Sequence, residues 1–159
     1  MIFIELIELW SIYAWWACIL ALKMYTLTWF TGRIRVKTEV IHSEEDRMWM
    51  KGPDIILCPT GGGHKDVDCI RSAHRRDLET VLPYLLITPM WLYTSPSFLV
   101  ARTILSCFAI VSISYTLLHM EIVKLHRYCK VTLFAFQTCI LFYITTITMI
   151  RFAYLETSN

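Results

Sequence analysis

The run Arg71-Ser72-Ala73-His74-Arg75-Arg76-Asp77-Leu78-Glu79 passes without a break into the apolar segment 80–93. Those fourteen apolar residues are too few to cross a bilayer, which takes about 20 in a helix. If they belong to a membrane helix, it extends backwards through Glu79 and Arg75 and carries ionisable groups to membrane depth. Charges at that depth are costly and mark function. At 100° per residue, Arg71, Ser72, Arg75, Arg76 and Glu79 share an arc of ~140°, while His74 and Asp77 leave the helix elsewhere. One face thus offers several guanidinium forks and one carboxylate. That set suits a small ligand with two carboxylates and an ammonium, such as glutathione.

The rest of the chain supplies the membrane context. Its 159 residues are 56% hydrophobic and only 18% charged, against about 45–50% apolar in soluble domains. This composition predicts an all-α membrane protein of one domain, folded as a four-helix transmembrane bundle. The spans are read at about 8–32, 70–93, 98–119 and 130–151, with a long loop at 33–69. Lys23 interrupts the first span, Arg102 stands near the start of the third, and segment 131–150 in the fourth has no charge. Thr94-Ser95-Pro96-Ser97 forms a tight turn between the second and third spans.

Charge placement sets the orientation. Arg33, Arg35, Lys37, Arg47, Lys51, Lys65, Arg71, Arg75 and Arg76 follow the first span, and Lys124, Arg127 and Lys130 precede the fourth. Together they make twelve of the 15 Lys and Arg residues. By the positive-inside rule both loops are cytoplasmic and both termini lumenal. The N-terminal apolar stretch opens with Glu5 and Glu8 rather than a basic region, and reads as a retained span rather than a cleaved leader.

Other features have plainer readings. The six cysteines show no CxxC pair or Cys/His ligand spacing, so neither a metal site nor a disulfide framework is predicted. Gly61-Gly62-Gly63 is followed by no Gly-Lys-Ser/Thr and is read with no strand before it, which sets aside a phosphate cradle. Trp10, Trp15, Trp16 and Trp29 read as interfacial or lipid-facing anchors. Ser112, Ser114 and Thr116 read as helix-packing positions, with Tyr115 and His119 one turn apart beside them. Arg75 and Glu79, at i and i+4, can also pair with each other. No nucleic-acid partner is expected.

An ordered series of motifs resembles the MAPEG superfamily (membrane-associated proteins in eicosanoid and glutathione metabolism). The series is Lys23-Met24-Tyr25, Thr31-Gly32 with Arg35, Ser43-Glu44-Glu45-Asp46, Asp66-Val67-Asp68, Ala73-His74-Arg75-Arg76-Asp77-Leu78-Glu79 and Pro83-Tyr84-Leu85. The branch it resembles holds the microsomal prostaglandin E synthase and the microsomal glutathione transferase. The resemblance covers residues 20–100 well and later ones weakly.

It implies a homotrimer of four-helix subunits in the endoplasmic reticulum membrane, with the mitochondrial outer membrane as a second location. It also implies glutathione as cofactor, bound between subunits near the cytoplasmic side, and a lipophilic electrophile or lipid peroxide as substrate. Arg75 and Glu79 would contact glutathione, with Arg35, Arg71, Arg76 and Tyr25 in the same region. Arg127, Asp46, Tyr115 and His119 would carry the chemistry, Arg127 by stabilising the thiolate. The chain departs from the pattern at several places. The family's basic residue falls on Ser72, its Asn on Arg76 and its third-helix Arg on Ser112. Its His and Tyr appear in reversed order as Tyr115 and His119, and the assisting serine is Tyr128. These departures bear on prostaglandin isomerisation more than on glutathione binding. They leave a non-catalytic, lipid-binding scaffold of the lipoxygenase-activating type as the alternative.

Overall fold

Long apolar segments in a bilayer satisfy their backbone groups internally, which selects helices. The computed structural model describes residues 2–41, 48, 56–58, 64–120 and 127–157. Among these, the helices are α1 (Ile2–Thr38), α2 (Lys65–Tyr93), α3 (Phe98–His119) and α4 (Arg127–Thr157). Three of them are long and apolar enough to cross a membrane, over Glu5–Thr38, Phe98–His119 and Tyr128–Leu155. The fourth, α2, joins the charged run and the apolar segment in one continuous helix.

α1 continues beyond residue 32, the end read from the sequence, so Arg33, Arg35 and Lys37 are helical; the two nearest the end, Arg35 and Lys37, complement the helix dipole. It stops at Glu39, whose φ of 55° is the left-handed conformation that ends many helices. Immediately after it, β1 (Val40–Ile41) pairs in parallel with β2 (Ile56–Leu57) in the register Val40↔Ile56 and Ile41↔Leu57. A short strand therefore does precede Gly61-Gly62-Gly63, contrary to the sequence reading; the glycines themselves lie outside the described residues. α2 begins at Lys65, before the predicted residue 70. His64 caps it by accepting from the Asp66 amide at 3.3 Å, and Asp66 and Asp68 sit in the dipole-favoured first turn.

α1 and α4 each pack against both α2 and α3, with a lighter contact between α2 and α3. The core is dominated by Trp91, Tyr84, Phe108, Leu20, Leu92 and Leu105. Tyr84 of α2 stacks on Phe108 of α3 with ring centroids 3.7 Å apart and planes 6° from parallel. Lipid is as apolar as these side chains, so association rests on close packing and interhelical hydrogen bonds rather than on the hydrophobic effect. Several polar ties run between helices. Trp16 donates its indole N–H to Ser106 Oγ at 3.1 Å, so it is a bundle contact and not only an interfacial anchor. Trp10 is also drawn inward, edge-on to Tyr13 and Tyr93. Trp15 and Trp29 are exposed, as anchors would be.

Two prolines lie inside α2, at positions 83 and 89. Each lacks the N–H that would bond the carbonyl four residues back. For Pro89 that carbonyl belongs to Leu85, and Tyr13 of α1 donates its hydroxyl hydrogen there at 2.8 Å. A neighbouring helix thus restores the bond that the proline removes, as membrane helices require.

Candidate functional site

The charged half of α2 presents two chemically different sides. Arg71, Ser72, Arg75 and Glu79 are exposed, and Arg75 Nε donates to Glu79 Oε1 at 3.2 Å. The ion pair is open, with side chains 82% and 62% exposed. Such a pair holds little energy in high dielectric and is free to exchange partners with an incoming carboxylate and ammonium. Asp77 leaves from the other side and is buried.

Asp77 meets a residue whose role the sequence reading missed. Lys23, from the middle of α1, places its ammonium 2.9 Å from Asp77 Oδ1, 2.8 Å from Ser112 Oγ and 3.2 Å from the Ser112 carbonyl. All three donors of the ammonium are used, and the side chains are only 11% and 4% exposed. Lys23 thus brings a cation from α1 to Ser112, the position where the family pattern has an arginine. The signal was present: an acid on α2 outside the basic arc, and an unexplained cation in a span that needed a partner.

The remaining predicted residues divide into those that converge and those that stand apart. Ser72, Arg76, Tyr115 and His119 converge where α2 meets α3. Ser72 donates its single hydroxyl hydrogen to the Cys69 carbonyl at 2.8 Å. Its oxygen therefore accepts from His119 Nε2–H, 2.7 Å away. That tautomer, assigned from the hydrogen bonds, leaves His119 Nδ1 as acceptor of a long 3.5 Å contact from the Tyr115 hydroxyl. Arg76 does not share the exposure of its neighbours on the arc. Its guanidinium carbon lies 4.0 Å from the Tyr115 ring centroid and 3.8 Å from that of Phe134. Tyr25 is exposed on α1. Arg35 is half-buried near the end of α1, with a buried Nε that has no acceptor among the described residues. Asp46 and the side chain of Arg127 lie outside the described residues.

A family profile, "MAPEG family", matches residues 13–150. The chain belongs to the MAPEG family. The match runs through all four helices of the bundle and takes in both Lys23 and Asp77. Among curated proteins this MAPEG chain is similar to "Prostaglandin E synthase" of Homo sapiens, 26% identical over 64% of this chain and 64% of that protein. It is 30% identical to "Prostaglandin E synthase" of Macaca fascicularis over 52% of this chain and 51% of that protein. The protein of the same name in Canis lupus familiaris is 29% identical over 53% of this chain and 52% of that protein. The chain therefore spans between about half and two thirds of the length of these relatives.

Proposed function

We propose that this MAPEG protein is a glutathione-dependent enzyme acting on lipophilic electrophiles or lipid peroxides. The observation that carries the reading is the open Arg71/Arg75/Glu79 face on a membrane helix of a family member. The donor set suits the ligand: guanidinium forks match carboxylates, and Glu79 matches an ammonium. Conjugation, reduction of a hydroperoxide and isomerisation of an endoperoxide are the reactions open to a thiolate held at this face. The family resemblance supports a homotrimer in the endoplasmic reticulum membrane with both termini lumenal.

Bound at this face, glutathione supplies a thiol nucleophile. Arg71 and Arg75 hold its carboxylates, and Glu79 turns from Arg75 to its ammonium. Arg127 is assigned the cation that favours the ionised thiol, since a neighbouring guanidinium lowers a thiol's pKa. Tyr115 and His119 are secondary proton donors. The electrophile reaches the site by partition into the bilayer, which concentrates lipophilic substrates and excludes polar ones.

Purified protein is expected to conjugate glutathione to a small chlorinated aromatic, with Arg75→Ala and Arg127→Ala both strongly impaired. Full activity in both variants removes this mechanism. The second reading, a lipid-binding scaffold without turnover, is favoured by the hydroxyl of Ser112 where the family pattern has an arginine. Thermal stabilisation by millimolar glutathione separates the two, because a ligand bound only to the folded state raises apparent stability.

A further inference from the structure

Arg102 is the only Lys or Arg in α3, and it stands at the far end of the bundle from the charged half of α2. It lies about 6 Å along α3 from Phe98, within a helix apolar enough to cross a membrane. The residue is exposed, and no described residue gives it an ion pair or a hydrogen bond. Glu5 and Glu8 of α1, exposed at the same end, do not reach it. Two open grooves, of about 400 and 380 Å³, share Arg102 as a wall. One follows α3 along Phe98, Leu99 and Cys107. The other lies between α1 and α3, against Ile12, Trp15 and Trp16. Ser106 lines both, and its bond from Trp16 ties the two helices together there. The hydroxyl hydrogens of Ser11 and Thr103 return to their own helices, at the carbonyls of Ile7 and Leu99. The hydrogens left without an acceptor among the described residues are those of the Arg102 guanidinium, the Ser106 hydroxyl and the Trp15 indole. The grooves thus offer donors and positive charge, and no carboxylate. An arginine in a membrane helix turns its head towards the headgroups, but that alone requires no groove beside it. Here apolar walls adjoin the cation on two sides.

We propose that Arg102 and its two grooves bind one glycerophospholipid from the leaflet at the α2–α3 turn, with the phosphodiester on the guanidinium and one acyl chain in each groove. The chemistry matches part by part. A phosphodiester is a singly charged group of acceptor oxygens, which suits a guanidinium fork. Two chains leave one headgroup, as two grooves leave one cation. The ester carbonyls next to the phosphate accept from Ser106, one turn beyond Arg102, and from Trp15, which is 66% exposed. A free fatty acid fills only one groove, and a diacylglycerol leaves the cation unanswered. The lipid seals the seam between α1 and α3 that the Trp16–Ser106 bond begins. The site is separate from the Arg71/Arg75/Glu79 face and does not depend on the function proposed for it.

The test uses the full chain, purified in detergent and stripped of lipid. It is titrated with dioleoylphosphatidylcholine, dioleoylglycerol or oleate, and native mass spectrometry counts the molecules bound per chain. Phosphatidylcholine is chosen because it carries the phosphodiester without net charge. One phospholipid per chain is expected to bind more tightly than either of the other two lipids. Arg102→Gln is expected to weaken the phospholipid by about tenfold or more, as loss of a charge-assisted contact dictates, and to leave the melting temperature of the lipid-free protein unchanged. Arg102→Lys is expected to keep part of the affinity, because a phosphate also accepts a point charge. Trp15→Phe is expected to lose less than Arg102→Gln. Arg151→Gln, which removes an exposed arginine near the end of α4 on the same side, is expected to change nothing. Equal or tighter binding of dioleoylglycerol or oleate by the wild type overturns the site. So does full phospholipid affinity in Arg102→Gln, or a loss in Arg151→Gln as large as that in Arg102→Gln. If Arg102→Gln does not fold, the order of the three lipids on the wild type decides the matter alone.

Discussion

The ammonium of Lys23 and the carboxylate of Asp77 meet 2.9 Å apart, in side chains that are almost wholly buried between α1 and α2. Removing one partner of such a pair strands the other charge, at a cost of about 3–5 kcal/mol. Lys23→Met is therefore expected to lower the melting temperature in detergent sharply, and Lys23→Met/Asp77→Leu to recover most of the loss. A single variant as stable as the wild type would show that the pair carries no structural role.

The bond from Tyr13 to the Leu85 carbonyl leads to a coupled prediction. Tyr13→Phe leaves that carbonyl without a donor, at a cost of about 1–3 kcal/mol. Pro89→Ala returns the helical N–H, so Tyr13→Phe is expected to cost much less in the Pro89→Ala background. The double-mutant cycle measures this coupling; additive effects would mean that the hydroxyl does not compensate for the proline.

Arg75→Ala and Glu79→Ala test the open face. Their exposed pair is worth roughly 0–1 kcal/mol, so the unliganded melting temperature is expected to stay within about 4 °C of wild type, since 1 kcal/mol moves a domain this size by about 2–4 °C. The stabilisation by glutathione is expected to be largely lost. A large drop without ligand would instead identify the pair as a structural clamp.

Ser72 and His119 tie α2 to α3 by one short hydrogen bond. Ser72→Ala and His119→Ala are each expected to cost about 1 kcal/mol, and the double variant no more than the larger single effect. In turnover, His119→Ala is expected to impair the reaction more than Ser72→Ala, because only the imidazole exchanges protons in the assigned role. Equal activity in all three proteins would confine the contact to packing.

The sequence carries the bundle clearly because length and apolarity decide it. The tight turn before α3 and the separation of Asp77 from the basic arc could be read from local pattern and helical geometry. What could not be read depends on which side chains meet across helices. Lys23 looks like a blemish in a span until Asp77 and Ser112 are placed beside it. Arg76 looks like a fourth member of the charged face until Tyr115 and Phe134 close over it. Helical angles place a Cβ, but a long side chain follows its neighbours. Leu85 shows the same limit: the proline that strips its carbonyl is visible in the chain, but the tyrosine that repairs it, seventy-two residues away, is not.

Pro83 lies between the charged half of α2 and its apolar half. The missing rung is the one that would reach the Glu79 carbonyl, so the joint between the halves is already open by one backbone bond. A swing of the charged half therefore meets one backbone bond fewer at that point than in an unbroken helix. The charged half is braced by the Lys23–Asp77 pair and by the Gln137 amide on Thr80 Oγ1, both on the N-terminal side of Pro83. The Arg75/Glu79 face is therefore braced by contacts on the opposite side of the same helix, and softening them would loosen side chains they never touch.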